Sequence, residues 1–593
     1  MCGIFGYFDQ QGKSVASHVL KEMGDVINHR GPDGQGIYND DELAIGLGNQ
    51  RLAILDLEHG EQPFYSYKED IVVVQNGEIF NHVELAQELK LDGFPCKTHC
   101  DTEVILRLYE RDGIQGISCL NGMFAIAIYD KNKDSLYLIR DRVGEKPLYF
   151  SRLNDRIIFG SEIKSILKLT GKPSLDFKAL QKYLAFNYVP MPDTMFNGVK
   201  HVKPGSYLEI NRNECIEHKW WNLSNANVEN KSETEWITHF NSVLDDAVDI
   251  RLRSDVPFGA FLSGGVDSSS VVGLMSKHMK TPVKTYCIGF DDPKYDESPF
   301  AREAAERFNT DHTQEIVEPN LLSYWPLATY HSDQPHGDVS FLPTYCVAKL
   351  ASKDVKMVLT GDGADELFAG YDKYKNFFTN QSACLESDIE FSEAYSKNIA
   401  LFAHEDIKAL LSEKSRNEVS EENICLQMVK ELISEVPQMD RINQALYIDT
   451  QLLLSGNNLV KPDRMGMAVS IENRAPFLDY RMIELAFSIP GKLKLNNGET
   501  KYIYKKAVSK LIGERLAYRK KQMFTVPVGE WFKDKLKPLC EDLLLSERTK
   551  KREIFNYDQV RKLLLDHCDE TQNNTREIRA LMAFEYWCRE FLD

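Results

Sequence analysis

The stretch Phe261-Leu262-Ser263-Gly264-Gly265-Val266-Asp267-Ser268-Ser269-Ser270 admits few folds. It follows an apolar run, Val256 to Leu262, that reads as a buried strand. It precedes Val271-Val272-Gly273-Leu274-Met275, which continues the pattern as a helix. A strand, a loop rich in Gly and Ser and a helix N-terminus together form an anion site. The glycines let backbone N–H groups approach an oxyanion, and the helix start adds partial positive charge. Asp267 is the odd member, because a carboxylate repels phosphates; it makes sense if it holds a divalent cation that bridges to them. No Gly-Lys-Ser/Thr follows, so this is not the common P-loop. A plain strand–helix turn with an N-cap is the alternative reading of the same spacing.

The surrounding residues repeat the alternation. Val283 to Phe290 and Val355 to Leu359 read as strands, and Thr234–Arg253 and Glu297–Phe308 as helices. That order predicts a parallel, doubly wound sheet with ligand outside the carboxyl ends of its strands. Thr360-Gly361-Asp362-Gly363-Ala364-Asp365-Glu366 crowds three carboxylates into seven residues. Such crowding is costly unless a cation compensates, and Asp365 is a candidate to share one with Asp267. An acidic helix start in solvent is the alternative. Glu472 and Arg474 are expected to form a buried ion pair. The C-terminal segment, Arg552 to Asp593, reads as helical.

The first half has a different texture. Cys2 to Phe8, Asn49 to Asp56, Ile71 to Gln75, Phe124 to Tyr129, Leu136 to Arg140 and Ile157 to Gly160 read as strands, with helices over Ser17–Asn28 and Glu103–Arg111. Many strands with inserted helices predict a layered α/β sandwich. Removal of Met1 would leave Cys2 with a free α-amine of pKa about 7.7–8.0, a local base for its own thiol. A buried structural cysteine in a first strand is the alternative. The polar stretch Asn225 to Glu233, after Trp220-Trp221-Asn222, reads as the exposed connection between two domains. The expected domains are therefore 2–221, a linker 222–235, and 236–593.

Composition narrows the partners. The net charge of −18 over 593 residues argues against a nucleic-acid or anionic-membrane surface. The 12 cysteines include no Cys-x-x-Cys, and Cys96 and Cys100 lack a matching pair, so zinc is not expected. There is neither a signal-peptide pattern nor an apolar run of bilayer length, and a reducing cytoplasm is the simplest home.

Residues 263–269 resemble the pyrophosphate loop (SGGxDSS) of ATP pyrophosphatases, which adenylate a substrate and release pyrophosphate. Met-Cys-Gly-Ile at the start, His-Arg-Gly-Pro-Asp at 29–33, Arg-Leu-x-Ile at 51–54, Asn-Gly-Glu at 76–78 and Asp101 resemble a class II glutamine amidotransferase domain of the Ntn-hydrolase type, an αββα sandwich. Asp141 to Tyr149 is similar to a further segment of that family and reads as a supporting loop. Lys461–Met465 and Glu472–Asp479 match the pattern DRM…ExRxPFLD. Taken together, the motifs resemble the glutamine-hydrolysing asparagine synthetase family across roughly residues 2–535.

The resemblance implies roles. Cys2 attacks glutamine, with Asn76 and Gly77 as oxyanion hole. Arg51 clamps the α-carboxylate, Asp101 and Glu78 take the α-ammonium, and Leu52 and Ile54 complete the glutamine pocket. ATP lies against Leu262, Ile288, Thr360 and Gly361, its pyrophosphate on Ser263, Gly264, Gly265, Asp267, Ser268 and Ser269, with magnesium on Asp267 and Asp365. Lys501 faces the acyl-adenylate, and the Arg519–Gln522 run supplies nearby cations. The ammonia released is expected to travel through a sheltered passage. Aspartate is the first candidate acceptor. Aspartate-specific members usually carry Gly-Glu-Gly where this chain has Gly361-Asp362-Gly363, and Asp362 reaches about 1.5 Å less. Amidation of another carboxylate, such as a uronic acid, is therefore the second reading, and a catalytically silent scaffold the third. Small-molecule substrates are the expected partners, without nucleic acid or membrane, and a homodimer is compatible with the chain.

Overall fold

In a computed structural model of the protein, residues 2–226, 228–317, 321–380, 386–520 and 528–593 are described. The first half builds two antiparallel sheets. β1 (Cys2–Asp9) is buried along its whole length, because it runs inside a sheet covered on both faces. It pairs with β3 (Ile45–Arg51), which pairs with β2 (Gly34–Asp40). On its other side lie β9 (Arg156–Gly160), β8 (Tyr149–Leu153) and β10 (Val199–His201), giving the order β10-β8-β9-β1-β3-β2. The second sheet runs β12-β11-β7-β6-β5-β4. Its members are β4 (Phe64–Tyr65), β5 (Ile71–Ile79), β6 (Gly122–Asp130), β7 (Ser135–Arg140), β11 (Ser206–Ile210) and β12 (Cys215–Lys219). The inner faces meet in an apolar layer that includes Ile4, Phe8, Leu47, Val72, Val74, Ala125 and Phe159. Helix α1 (Ser17–Asp25) packs on the first sheet, and α2 (His82–Leu91) and α3 (Asp101–Asp112) lie over the second. This is the expected αββα sandwich.

The second half holds one parallel sheet, in the order β15-β14-β13-β16-β17. Its strands are β13 (Phe258–Phe261), β14 (Lys284–Gly289), β15 (Asp311–Ile316), β16 (Met357–Leu359) and β17 (Glu472–Arg474). The order reverses between β13 and β16, so their following loops diverge and open a crevice at the carboxyl edge. Helices surround the sheet and form the C-terminal part, including Tyr557–Cys568 and Thr575–Phe591. Trp587 is buried against Phe196 of the first half. Among the described residues no helix is long and apolar enough to cross a membrane.

Two local expectations need correction. The run Asn49 to Asp56 is not one strand: β3 ends at Arg51. The next residues fold around the Arg51 guanidinium, which takes the carbonyls of Leu55 at 3.2 Å and Asp56 at 2.6 Å. Leu52 and Ile54 mimic strand alternation because both are buried, yet they pack in a cluster that includes Trp236, Phe240 and Leu262 of the second half. Conversely, Asn76-Gly77-Glu78 does not end its strand, since β5 runs on to Ile79. Gly77 is required there by close approach, as a Cβ would stand 2.1 Å from the Met123 carbonyl oxygen.

Candidate active sites and the interface between them

β1 and β3 set Cys2 directly across from Arg51. Cys2 is 6% exposed. Burial pushes its thiol pKa up, while the Leu52 N–H and the Asn49 side chain hydrogen-bond the sulfur and oppose that rise. The Cys2 backbone nitrogen donates to Asn76 Oδ1 at 3.2 Å. Asn76 Nδ2 donates to Ser161 Oγ at 3.3 Å, so the amide is oriented from both ends. The Cys2 carbonyl accepts from Arg30 Nε at 3.2 Å. Asp101 opens α3, where its Oδ2 accepts from the Ile79 N–H at 2.9 Å and Gln75 Nε2 at 3.1 Å. Glu78 Oε2 lies 3.1 Å from Arg474 Nη2. Asn49, Ser161 and Arg30 were given no part by sequence reasoning. Arg30 alone carried a signal, because it sits inside the His-Arg-Gly-Pro-Asp motif.

At the parallel sheet, the loop after β13 folds on itself. Ser268 Oγ accepts from the Ser263 N–H at 3.2 Å, and Ser263 Oγ accepts from the Gly265 N–H at 3.3 Å. The helix Val266–His278 starts at Gly265 without a side-chain cap, which leaves first-turn N–H groups for an anion. The loop after β16 presses against it: a Cβ on Gly361 would stand 2.6 Å from the Asp267 Cβ. Leu262, Ile288, Thr360 and Gly361 thus cluster at the carboxyl ends of adjacent strands. Lys501, 3% exposed, is not on a solvated helix face. Its Nζ lies 2.6 and 2.7 Å from the two Asp267 oxygens and 2.7 Å from Asp365 Oδ1. Burial lowers the Lys501 pKa, and Asp267 and Asp365 overcome this and raise it. The two carboxylates are therefore arranged to share one cation, and two carboxylates with substrate phosphates suit magnesium. Arg519 Nε donates to the Gly264 carbonyl at 2.9 Å; Lys521 and Gln522 lie outside the described residues.

The two halves join through buried charge. Arg30 bonds Glu162 Oε1 at 3.0 Å and both oxygens of Asp463 at 3.0 and 3.1 Å. Arg464 Nη1 lies 2.9 Å from Glu162 Oε1, and Lys164 Nζ 2.7 Å from Asp333 Oδ1. Beside this network a cavity is lined by Glu145, Lys146, Thr360, Asp362, Asp463 and Asn473, with a volume of about 20 Å³, room for one water-sized molecule. Burial and the nearby Asp141 push Glu145 up to about 8, and burial also raises Asp362. The Glu472–Arg474 pair is present, with Nε to Oε1 at 2.6 Å.

Residues 239–589 match the family model described as Asparagine synthase, and residues 1–221 the Glutamine amidotransferase domain. The chain belongs to the asparagine synthetase family. It is 33% identical to Asparagine synthetase [glutamine-hydrolyzing] 1 of Bacillus subtilis, over 99% of this chain and 96% of that one. It is 38% identical to Putative asparagine synthetase [glutamine-hydrolyzing] 2 of Methanocaldococcus jannaschii, over 63% and 76%. It is also 29% identical to Amidase chyE of Penicillium rubens, over 90% and 89%. This family member is an ATP-dependent, glutamine-hydrolysing ligase, an amidotransferase in the broad sense.

Proposed function

We propose that the protein is a glutamine-dependent asparagine synthetase of the cytoplasm, with a glutaminase unit over 2–221, a connection over 222–235 and a synthetase unit over 236–593. The observation that carries the reading is the cavity at the junction, which has Glu145 and Lys146 of the first half on one side and Thr360 and Asp362 of the second on the other.

In the first centre the free α-amine of Cys2 takes the thiol proton and the sulfur attacks the carboxamide of glutamine. Asn76 Nδ2 and the Gly77 N–H steady the oxyanion. Arg51, its fork already braced by backbone carbonyls, holds the α-carboxylate, while Asp101 and Glu78 hold the α-ammonium. Leu52 and Ile54 wall the pocket. Collapse breaks the C–N bond, ammonia departs, and water later cleaves the glutamyl thioester.

In the second centre Leu262, Ile288, Thr360 and Gly361 receive the adenosine, and Ser263, Gly264, Gly265, Ser268 and Ser269 cradle the pyrophosphate. Magnesium, held by Asp267 and Asp365, would neutralise phosphate charge there. Lys501, its ammonium held at Asp267 and Asp365, faces the acyl-adenylate from there, and Asp362 stands at the acceptor. Ammonia passes through the cavity between Lys146 and Asp362, attacks the acyl carbon and displaces AMP. A buried passage matters because ammonium in bulk water is not a nucleophile.

A pyrophosphate-release screen with aspartate against a panel of sugar acids tests the acceptor. Aspartate should give the strongest release; silence with aspartate refutes asparagine synthesis. The second reading, amidation of another carboxylate, is favoured by the short Asp362 side chain and would answer to the sugar-acid arm.

A further inference from the structure

Glu78 belongs to the glutamine site of the first half, yet its counter-charge comes from the second. Arg474, on β17, is fully buried and sets Nη2 3.1 Å from Glu78 Oε2. The rest of its guanidinium is committed. Nε donates to Glu472 Oε1 at 2.6 Å, and Nη1 donates to the carbonyls of Arg251 at 2.9 Å and Arg253 at 2.7 Å. With these anchors the fork cannot swing away from Glu78. The other carboxylate oxygen, Glu78 Oε1, is buried and has no hydrogen-bond partner among the described residues. A buried acceptor without a donor is costly, unless a ligand supplies one, and the α-ammonium of an amino acid is such a donor.

The groups that act on Glu78 come from several elements. Asp101, with the Cys100 thiol beside it, faces it from α3. Arg474 and Glu472 face it from β17. Burial first, then Asp101, push the Glu78 pKa well above the usual carboxylate range, and Arg474 is the foremost group opposing them.

We propose that Arg474 is a positioning residue of the glutamine site, holding the Glu78 carboxylate turned so that Oε1 meets the α-ammonium of glutamine. The proposal rests on the reading of Glu78 and Asp101 as the ammonium pocket. It makes the glutaminase dependent on the second half for a complete substrate site. The same residue's carbonyl accepts the Thr360 N–H at 2.9 Å, so the strand that carries the counter-charge also anchors the nucleotide loop.

The test uses the full-length enzyme and its R474M, R474K and E78Q variants. Glutamate release gives KM and kcat for glutamine from about pH 6 to about pH 9, and ammonia-dependent pyrophosphate release reports on the second half. R474M should raise the glutamine KM about tenfold or more at the acid end, since each unit of pKa displacement is tenfold in the ionised fraction. The ratio to the parent should shrink as pH rises, while the kcat ratio stays flat. R474K should restore most of the loss. E78Q, which alters the first-half partner of that contact and leaves Arg474 in place, should raise KM and flatten its pH dependence, and it stands in if R474M does not fold. A variant-to-parent KM ratio for R474M near one, or constant with pH, overturns the role of Arg474, as does an E78Q enzyme with the parental KM profile. A parent without glutaminase activity would instead overturn the reading of the site itself.

Discussion

Gly361→Ala probes the contact on which the proposed nucleotide site depends. The added methyl would stand 2.6 Å from the Asp267 Cβ and 3.0 Å from the Ser268 nitrogen, about 1 Å short of ordinary carbon contact. Neither neighbour is a flexible chain end: Asp267 is clamped by Lys501, and Ser268 closes the loop after β13 on Ser263. The two loops must therefore part by most of that deficit. Overpacking of this kind costs about 1–3 kcal/mol of stability, and a displacement of about 1 Å at a reacting centre costs about a hundredfold in rate. The expected result is pyrophosphate release reduced about a hundredfold with glutaminase activity near the parental level, because the glutamine pocket shares no side chain with this contact. Both activities are read on one preparation, so glutamate release is the internal control for folding. Pyrophosphate release at the parental rate would refute the close approach of the two loops as a catalytic requirement.

Asp267→Ala should stop pyrophosphate release while glutaminase activity survives, and retained synthesis in that variant would remove the cation role. Cys2→Ala should abolish glutamine use and leave ammonia-dependent pyrophosphate release; loss of both would count against separate centres. A tag left in front of Cys2 should silence the glutaminase, with an unaffected rate speaking against the α-amine as base. Lys494 gives a pH test of stability. It is fully buried, its Nζ donates to Asn443 Oδ1 at 2.8 Å, and burial pulls its pKa from 10.5 to about 7. The unfolded chain then binds the extra proton between these values, so stability rises with pH across that window and the loss levels off below about 7. The whole effect is at most about 5 kcal/mol. Lys494→Met should remove this slope from urea midpoints, and identical slopes in parent and variant would refute it.

Much of the candidate site was legible because its signals are local. The loop 263–269 is a contiguous strand–turn–helix, and its glycines and serines are needed by backbone geometry alone. Asn76-Gly77-Glu78 was legible as a motif but not as a strand, since the Met123 carbonyl that demands Gly77 comes from β6. The segment after Arg51 misled for a related reason: Leu52 and Ile54 alternate like a strand while their burial comes from the other half. β17 was hidden because three residues with two charges do not look like a strand; the neighbouring β16 makes them one.

Taken alone, the sequence determined the two chemistries, their order along the chain and the parallel character of the second sheet, because these follow from residue types at short spacing and from hydrophobic periodicity. Only the tertiary structure decided who pairs with whom across long separations. It set Lys501 between Asp267 and Asp365, Arg30 between Cys2 and Asp463, and Arg474 against Glu78. Each is a buried charge with a charged partner more than a hundred residues away along the chain. Burial leaves such a charge stable only when it is paired, and that requirement names no partner until the chain is folded.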